Sequence, residues 1–103
     1  MTQSIHTKTI PLDGVIKGKR SIELGKLLES HGGGLFKKII VDMEEVSFID
    51  SCGVGALLYY NGVFQKEGIE LILAVPDNWL KEFITDSRLE EVITVIPANR
   101  TPS

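Results

Sequence analysis

Apolar residues along this chain recur in two different rhythms. Lys37-Lys38-Ile39-Ile40-Val41-Asp42 is a β-branched run after Gly32-Gly33-Gly34, and it predicts a buried strand. Val46-Ser47-Phe48-Ile49 is a short extended stretch that leads into Asp50-Ser51. From Gly53 to Lys66 the period changes. Val54, Leu57, Leu58, Asn61 and Phe64 recur every three or four residues, which predicts a helix, with Val54, Leu57, Leu58 and Phe64 facing the core. Gly68 is placed to end it in a left-handed cap. Ile69 to Val75 predicts a second buried strand, stopped by Pro76. Asp77 or Asn78 then caps a helix running through Phe83 and Ile84. Val92 to Ile96 is the last predicted strand, stopped by Pro97, and Ala98 to Ser103 reads as a frayed tail.

The first third is less regular. Ile5 to Ile10 and Leu12 to Ile16 predict two strands joined at Pro11, a residue that suits an edge or a break in the ladder. Ser21 is positioned to cap a helix whose Ile22, Leu24, Leu27 and Leu28 form an apolar stripe closing at His31-Gly32. The predicted order is β-β-α-β-α-β-α-β. Strands alternating with amphipathic helices imply an α/β domain with a mixed, mostly parallel sheet and packed helices. At 103 residues the chain suits one domain, with 1–4 and 98–103 frayed.

Composition narrows the function. No apolar run approaches the roughly 20 residues that cross a bilayer. The start, Met-Thr-Gln-Ser-Ile-His, lacks the basic-then-apolar layout of a secretory signal. A lone cysteine, Cys52, fits a reducing compartment, so the expected setting is the cytoplasm, with no membrane partner. The net charge of −3 conceals a division. Residues 1–40 carry seven basic groups against three acids, and residues 41–103 four against eleven. The basic segment lacks interleaved aromatics and the spacing of a DNA-reading module, so no nucleic-acid partner is expected.

The stretch richest in chemistry is Val46-Ser47-Phe48-Ile49-Asp50-Ser51-Cys52-Gly53-Val54-Gly55. It brings two oxygen-bearing side chains from a strand end to a helix start, where backbone N–H groups lack partners within the helix. Simple N-capping by Asp50 or Ser51 accounts for both on these grounds. Gly53 and Gly55 point further, because glycine weakens a helix start and opens its first turn to a close approach at Ser51. Other chemistries fit poorly. A hydrolase elbow, Gly-x-Ser-x-Gly, needs glycine where Ile49 stands, and His6 and His31 show no relay spacing. Leu58 occupies the place of the third glycine in a dinucleotide fingerprint. Gly32 to Gly34 follows a helix and precedes a strand, which makes it a turn. No ligand cluster suggests a metal, and no cofactor is expected. For Cys52 at a helix start a redox role is the alternative to a small spacer, and the spacer is the simpler role.

Phe48-Ile49-Asp50-Ser51-Cys52-Gly53-Val54-Gly55-Ala56-Leu57-Leu58 resembles the signature of STAS domains, specifically the bacterial anti-sigma factor antagonists. Their pattern is a hydrophobic pair, then Asp-Ser-x-Gly-x-Gly, then an apolar helix. Leu12 to Ile16 is similar to the family's Leu-x-Gly-x-Leu strand, and Ile39 to Glu45 to its Val-x-Asp-Leu run. Glu67 to Val75 and Leu80 to Leu89 resemble its fourth strand and third helix, so the likeness spans residues 5–96.

The resemblance implies a STAS-like fold and a switch in place of an enzyme. Ser51 holds the position that a serine kinase, itself an anti-sigma factor, phosphorylates in that family. The unmodified form captures the kinase, the phosphorylated form releases it, and a serine phosphatase resets the cycle. Asp50 is expected to orient the site. A constitutive scaffold or a transporter-associated subunit without a switch is the alternative. Two departures stand out. Lys17, followed by Gly18, Lys19 and Arg20, replaces the acid that the family usually carries there, which suggests a more acidic partner surface. Only seven residues follow Ile96, where the family commonly adds a helix, leaving a flank open to a homo-oligomeric or partner contact. Ala56, Tyr59, Tyr60 and Val63 fall on the second side of the helix after Ser51, and aromatic residues are enriched at interfaces. The expected partner-binding set is Lys17, Asp50, Ser51, Cys52, Gly53, Ala56, Tyr60 and Val63.

Overall fold

The computed structural model describes residues 6–33 and 35–98. Its elements run β1 (Thr7–Ile16), α1 (Lys19–Glu29), β2 (Lys38–Ile49), α2 (Ser51–Lys66), β3 (Glu70–Val75), α3 (Trp79–Asp86), a 3₁₀ turn (Leu89–Glu91) and β4 (Thr94–Pro97). The strands form one sheet in the order β1-β2-β3-β4, and every neighbouring pair is parallel.

A single register row shows how the core is built. Ile10 sits opposite Val41, Val41 opposite Leu73, and Leu73 opposite Val95. Alternation along the strands turns these residues, with Leu12, Ile39, Met43, Leu71 and Val75, to one face. Leu24 and Leu28 of α1, Leu57 and Phe64 of α2, and Leu80 and Ile84 of α3 join them in a single buried cluster. A sequential order of parallel strands with right-handed crossovers places all three helices on that face. On the opposite face Ile72 and Ala74, each 7% exposed, lie outside the cluster.

Several expectations change in detail. The two N-terminal strands are one, running through Pro11, and the sheet has no antiparallel member among the described residues. β1 is an edge strand, where a proline's missing donor is tolerated. The irregularity shows up as register shifts between Pro11 and Asp13 and between Gly14 and Val15, with Gly14 at φ 70°. The run 37–42 and the stretch 46–49 likewise merge into the continuous β2. Helix α1 starts at Lys19 after Gly18, so Ser21 lies inside its first turn and does not cap it. Its buried face is Ser21, Leu24 and Leu28, which leaves Ile22 62% exposed. Ile22 lies about 100° around the helix from Ser21, and that rotation carries it off the buried stripe. Leu58 of α2, expected in the core, is exposed for the same reason, whereas Leu57 and Phe64 are fully buried. Asn78 caps α3, its Oδ1 accepting the Leu80 N–H at 2.9 Å. The last strand begins at Thr94, because Leu89 in the 3₁₀ turn and Ile93 after it are drawn into the core. Pro97 belongs to β4, opposite Val75, and Ala98 donates its N–H to the Val75 carbonyl at 2.9 Å. Of the expected frayed segments 1–4 and 98–103, all but Ala98 lie outside the described residues, and Ala98 is tied to β3 by that hydrogen bond.

Candidate functional site

The end of β2 and the start of α2 are joined through Asp50. Its backbone is extended (φ −101°, ψ −176°), and its Oδ1 accepts the Gly53 N–H at 2.9 Å. The Asp50 carbonyl accepts the Val54 N–H at 3.0 Å, which closes the first helical turn. The Asp50 N–H donates to the Ile16 carbonyl at 3.1 Å, tying the helix start to the end of β1. The Ser21 hydroxyl, buried in the first turn of α1, donates to the same Oδ1 over a long 3.4 Å. β1, α1 and α2 therefore meet at one residue, the first through its backbone N–H and the other two through its carboxylate. The Gly53 N–H holds that carboxyl below its ordinary value of 3.8 against an opposing push from burial, with further help from Gly18, Ser21 and Cys52. At neutral pH Asp50 is a fixed anion. Of the two capping candidates, Asp50 is the cap.

Ser51 is thereby freed. It is the first residue of α2 and is exposed, as is the free thiol of Cys52 beside it. The two glycines have different tasks. Gly53 is buried, and a Cβ there would lie 2.6 Å from Ile49 Cγ1 and 3.2 Å from Ile16 Cγ2. It serves close packing of α2 on the strand ends, which corrects the expectation that it opens the turn to another molecule. Gly55 faces open space, with nothing within 4 Å of the Cβ position, and it alone fits that expectation.

The remaining expected residues fall in different places. Lys17 is exposed on the loop after β1, next to Ile16 and hence beside Asp50. Ala56, Tyr60 and Val63 are half-buried and packed against the core. Tyr60 reaches α1, with its Cε2 at 3.4 Å from the Cβ position of Gly25, and its ring lies 6.1 Å from Phe64. Burial, with the nearby Glu29 and Tyr59, pushes the Tyr60 phenol upward, so it remains neutral. The side of α2 that meets solvent instead carries Cys52, Gly55, Leu58 and Tyr59. Of the expected set, Lys17, Ser51 and Cys52 are thus exposed near the β2–α2 junction, with Asp50 half-buried and Gly53 buried.

Sequence reasoning missed two features. Ser21 looked like a cap and is a partner of Asp50; its place on the buried 21-24-28 face was the available signal. Phe48 and Trp79, far apart in sequence, stack with ring centroids 6.5 Å apart, and nothing in local periodicity brings them together.

The arrangement presents a hydroxyl on a rigid helix start beside an anion, and among the described residues no group of three His, Cys, Asp or Glu could hold a metal. His31 is engaged by the Leu27 carbonyl at 2.9 Å, away from this end. The groove between α3 and β4, lined by Val75, Ile84, Val95 and Ile96, does not include Ser51. Among the described residues no helix is long and apolar enough to cross a membrane.

Comparison with curated proteins gives no match. Among solved structures, one similar to this chain is "Structure of the Anti-Sigma Factor Antagonist SpoIIAA in its Unphosphorylated Form", with TM-score 0.67 and 19% identity over 96% of this chain and 86% of that one. The phosphorylated SpoIIAA of Bacillus gives TM-score 0.68 and 22% identity over 92% and 86%. A sulfate transporter family protein from Wolinella succinogenes gives 0.76 and 20% over 89% and 77%. At these identities the likeness is one of fold. The STAS domain profile matches residues 2–101, nearly the whole sequence, and the chain belongs to the STAS domain family.

Proposed function

We propose that this protein is a phosphorylation-controlled binding module of the anti-sigma factor antagonist kind. Ser51 is the modified residue. Unmodified, the chain sequesters a serine kinase that is also an anti-sigma factor; phosphorylated, it releases that kinase, and a serine phosphatase restores it. Catalysis and ATP belong to the kinase, the chain needs no cofactor, and the setting is the cytoplasm. The observation that carries this reading is the exposed Ser51 hydroxyl at the first position of α2, while Asp50 does the capping.

The physics supports the role. Phosphorylation adds about −1.5 to −2 charges and three acceptor oxygens. At a helix N-terminus that charge meets the positive end of the dipole, so the fold tolerates it. At an interface a desolvated dianion next to ionised Asp50 opposes binding. A loss of about 3 kcal/mol is more than a hundredfold in affinity, enough to release a partner without unfolding the domain.

The test is to incubate the chain with the serine kinase encoded beside its gene, together with ATP, and measure its intact mass. A phosphate-sized gain that Ser51→Ala abolishes is expected; no gain with a kinase of proven activity defeats the reading. A second reading, a constitutive scaffold or transporter-associated subunit, draws on the likeness to the sulfate transporter family protein at TM-score 0.76. It expects an unchanged mass and a binding partner indifferent to Ser51→Glu.

A further inference from the structure

The loops that follow β1, β2 and β3 leave the parallel sheet at the same end and in strand order. Along that rim come Lys17-Gly18-Lys19, then Asp50-Ser51, then Trp79. β1 and β2 end level, Ile16 opposite Ile49, whereas β3 ends beside the middle of β2, and the contact of Trp79 with Phe48 brings the start of α3 toward the end of β2. Lys17 and Lys19 are exposed, and neither joins an ion pair among the described residues. Arg20, beside them, is held by Asp13 and Glu23, each at 3.6 Å. The rim on the β1 side therefore presents two lysines outside any ion pair among the described residues, in a chain of net charge −3.

The other flank is aromatic. Phe48 precedes Ser51 by three residues, at most about 11 Å along an extended backbone. It is 44% exposed, and Trp79, the sole tryptophan, is 40% exposed. Their rings stack at an interplanar angle of 22°, and Phe83 supports Trp79 with centroids 6.3 Å apart. A tryptophan held rigidly in this way loses little conformational freedom on burial, and tryptophan is among the residues that dominate interface energetics.

We infer that Phe48–Trp79 and Lys17–Lys19, on opposite flanks of Ser51, form a two-point docking edge for the protein that reads this serine. The charge of the edge and its continuity with Ser51 define the occupant: a protein surface with an apolar slot for the indole and carboxylates facing the lysines. The lysines set the encounter rate and the indole sets the lifetime of the complex. This inference rests on the proposed function, because it assigns that site its partner.

The experiment places the photo-crosslinking residue p-benzoylphenylalanine at position 79 or at position 66, the far end of α2, in the organism that encodes the chain. The captured protein is identified by mass spectrometry, purified and titrated against the native chain by Trp79 fluorescence. An adduct at 79 and none at 66 is expected. Trp79→Ala, shown to be folded by circular dichroism and followed by calorimetry, should weaken binding about thirtyfold or more through faster dissociation, while Trp79→Phe retains most of it. Lys17→Glu with Lys19→Glu should slow association about tenfold at low salt, with the difference fading as salt rises. Capture at 66 alone, capture at neither position, or native affinity in Trp79→Ala overturns the docking edge. The two proposals fail separately. If Ser51 gains phosphate and Trp79→Ala binds normally, the edge falls and the switch stands; if 79 captures a protein and Ser51 never gains phosphate, the reverse holds.

Discussion

Replacing each of the two glycines after Ser51 by alanine should move stability in opposite directions. In Gly53→Ala the new methyl would sit 2.6 Å from Ile49 Cγ1, 3.0 Å from Ile49 Cδ1 and 3.2 Å from Ile16 Cγ2. Ile49 and Ile16 are each 1% exposed, at the paired ends of β2 and β1, so neither side chain has free space to enter. Overpacking costs about 1–3 kcal/mol, and a 2.6 Å approach to a buried side chain puts this one in the upper part of that range, about 2–3 kcal/mol. Alanine returns up to about 1 kcal/mol of helix propensity, leaving a net loss of about 1–2 kcal/mol. For a domain of about this size that lowers Tm by roughly 5–10 °C. Gly55→Ala meets nothing within 4 Å and keeps only the propensity gain, so its Tm should rise by a few degrees. Thermal melts and urea titrations of the two variants beside the native chain decide the matter. A Gly53→Ala chain as stable as native would show that α2 can lift from the strand ends at no cost, and the assignment of Gly53 to packing would be wrong.

Four further outcomes are expected. Because the folded Asp50 carboxyl titrates below 3.8, its contribution is complete above that value and lost as pH falls through the lower, folded one; an acid titration followed by circular dichroism should show that loss in the native chain and not in Asp50→Asn. Leu57→Ala, at a side chain with no exposure, should cost about 2–5 kcal/mol in urea unfolding. Asn78→Ala removes the acceptor of the Leu80 N–H and should cost about 1 kcal/mol, read as a lower urea midpoint at unchanged slope. Ser51→Glu should leave Tm within a few degrees of native, since an acid suits a first helical turn, while partner affinity measured by calorimetry falls more than a hundredfold.

The sequence carried the parts of this fold whose signal is local. The change of period at Asp50-Ser51, Gly68 at φ 76° after α2, and Asn78 before α3 all stand where their chemistry placed them. What misled was also local. Pro11 and Gly14 looked like a break between strands, because nothing nearby in sequence reveals that β1 is an edge strand able to absorb both in two register shifts. Ile22 and Leu58 are apolar yet exposed, because a helix buries only the side its neighbours select. At the candidate site, the positions of Asp50 and Ser51 were legible from the strand-to-helix transition. The roles of Ser21 and Gly53 were not, because Ser21 reaches Asp50 from α1 and Gly53 meets Ile16 and Ile49 where β1, β2 and α2 converge. The Phe48–Trp79 stack is a long-range contact between β2 and α3, which no window on the chain contains.

That convergence bears on how a switch at Ser51 could work. Asp50 is bound to the Ile16 carbonyl through its own N–H, to Gly53 and Ser21 through its carboxylate, and to Val54 through its carbonyl. With its N–H, its carbonyl and its Oδ1 engaged inside the fold, it is held in place as a neighbouring charge arrives. In the proposed switch, a phosphate on Ser51 therefore adds to a fixed negative charge, and the repulsion falls outward on whatever is docked. The packing of Gly53 on Ile49 and Ile16 works in the same direction, since it keeps the first turn of α2 from tilting to relieve the strain. A soft helix start would spend the new charge on rearranging itself; a start pinned to two strand ends and α1 directs it at the partner.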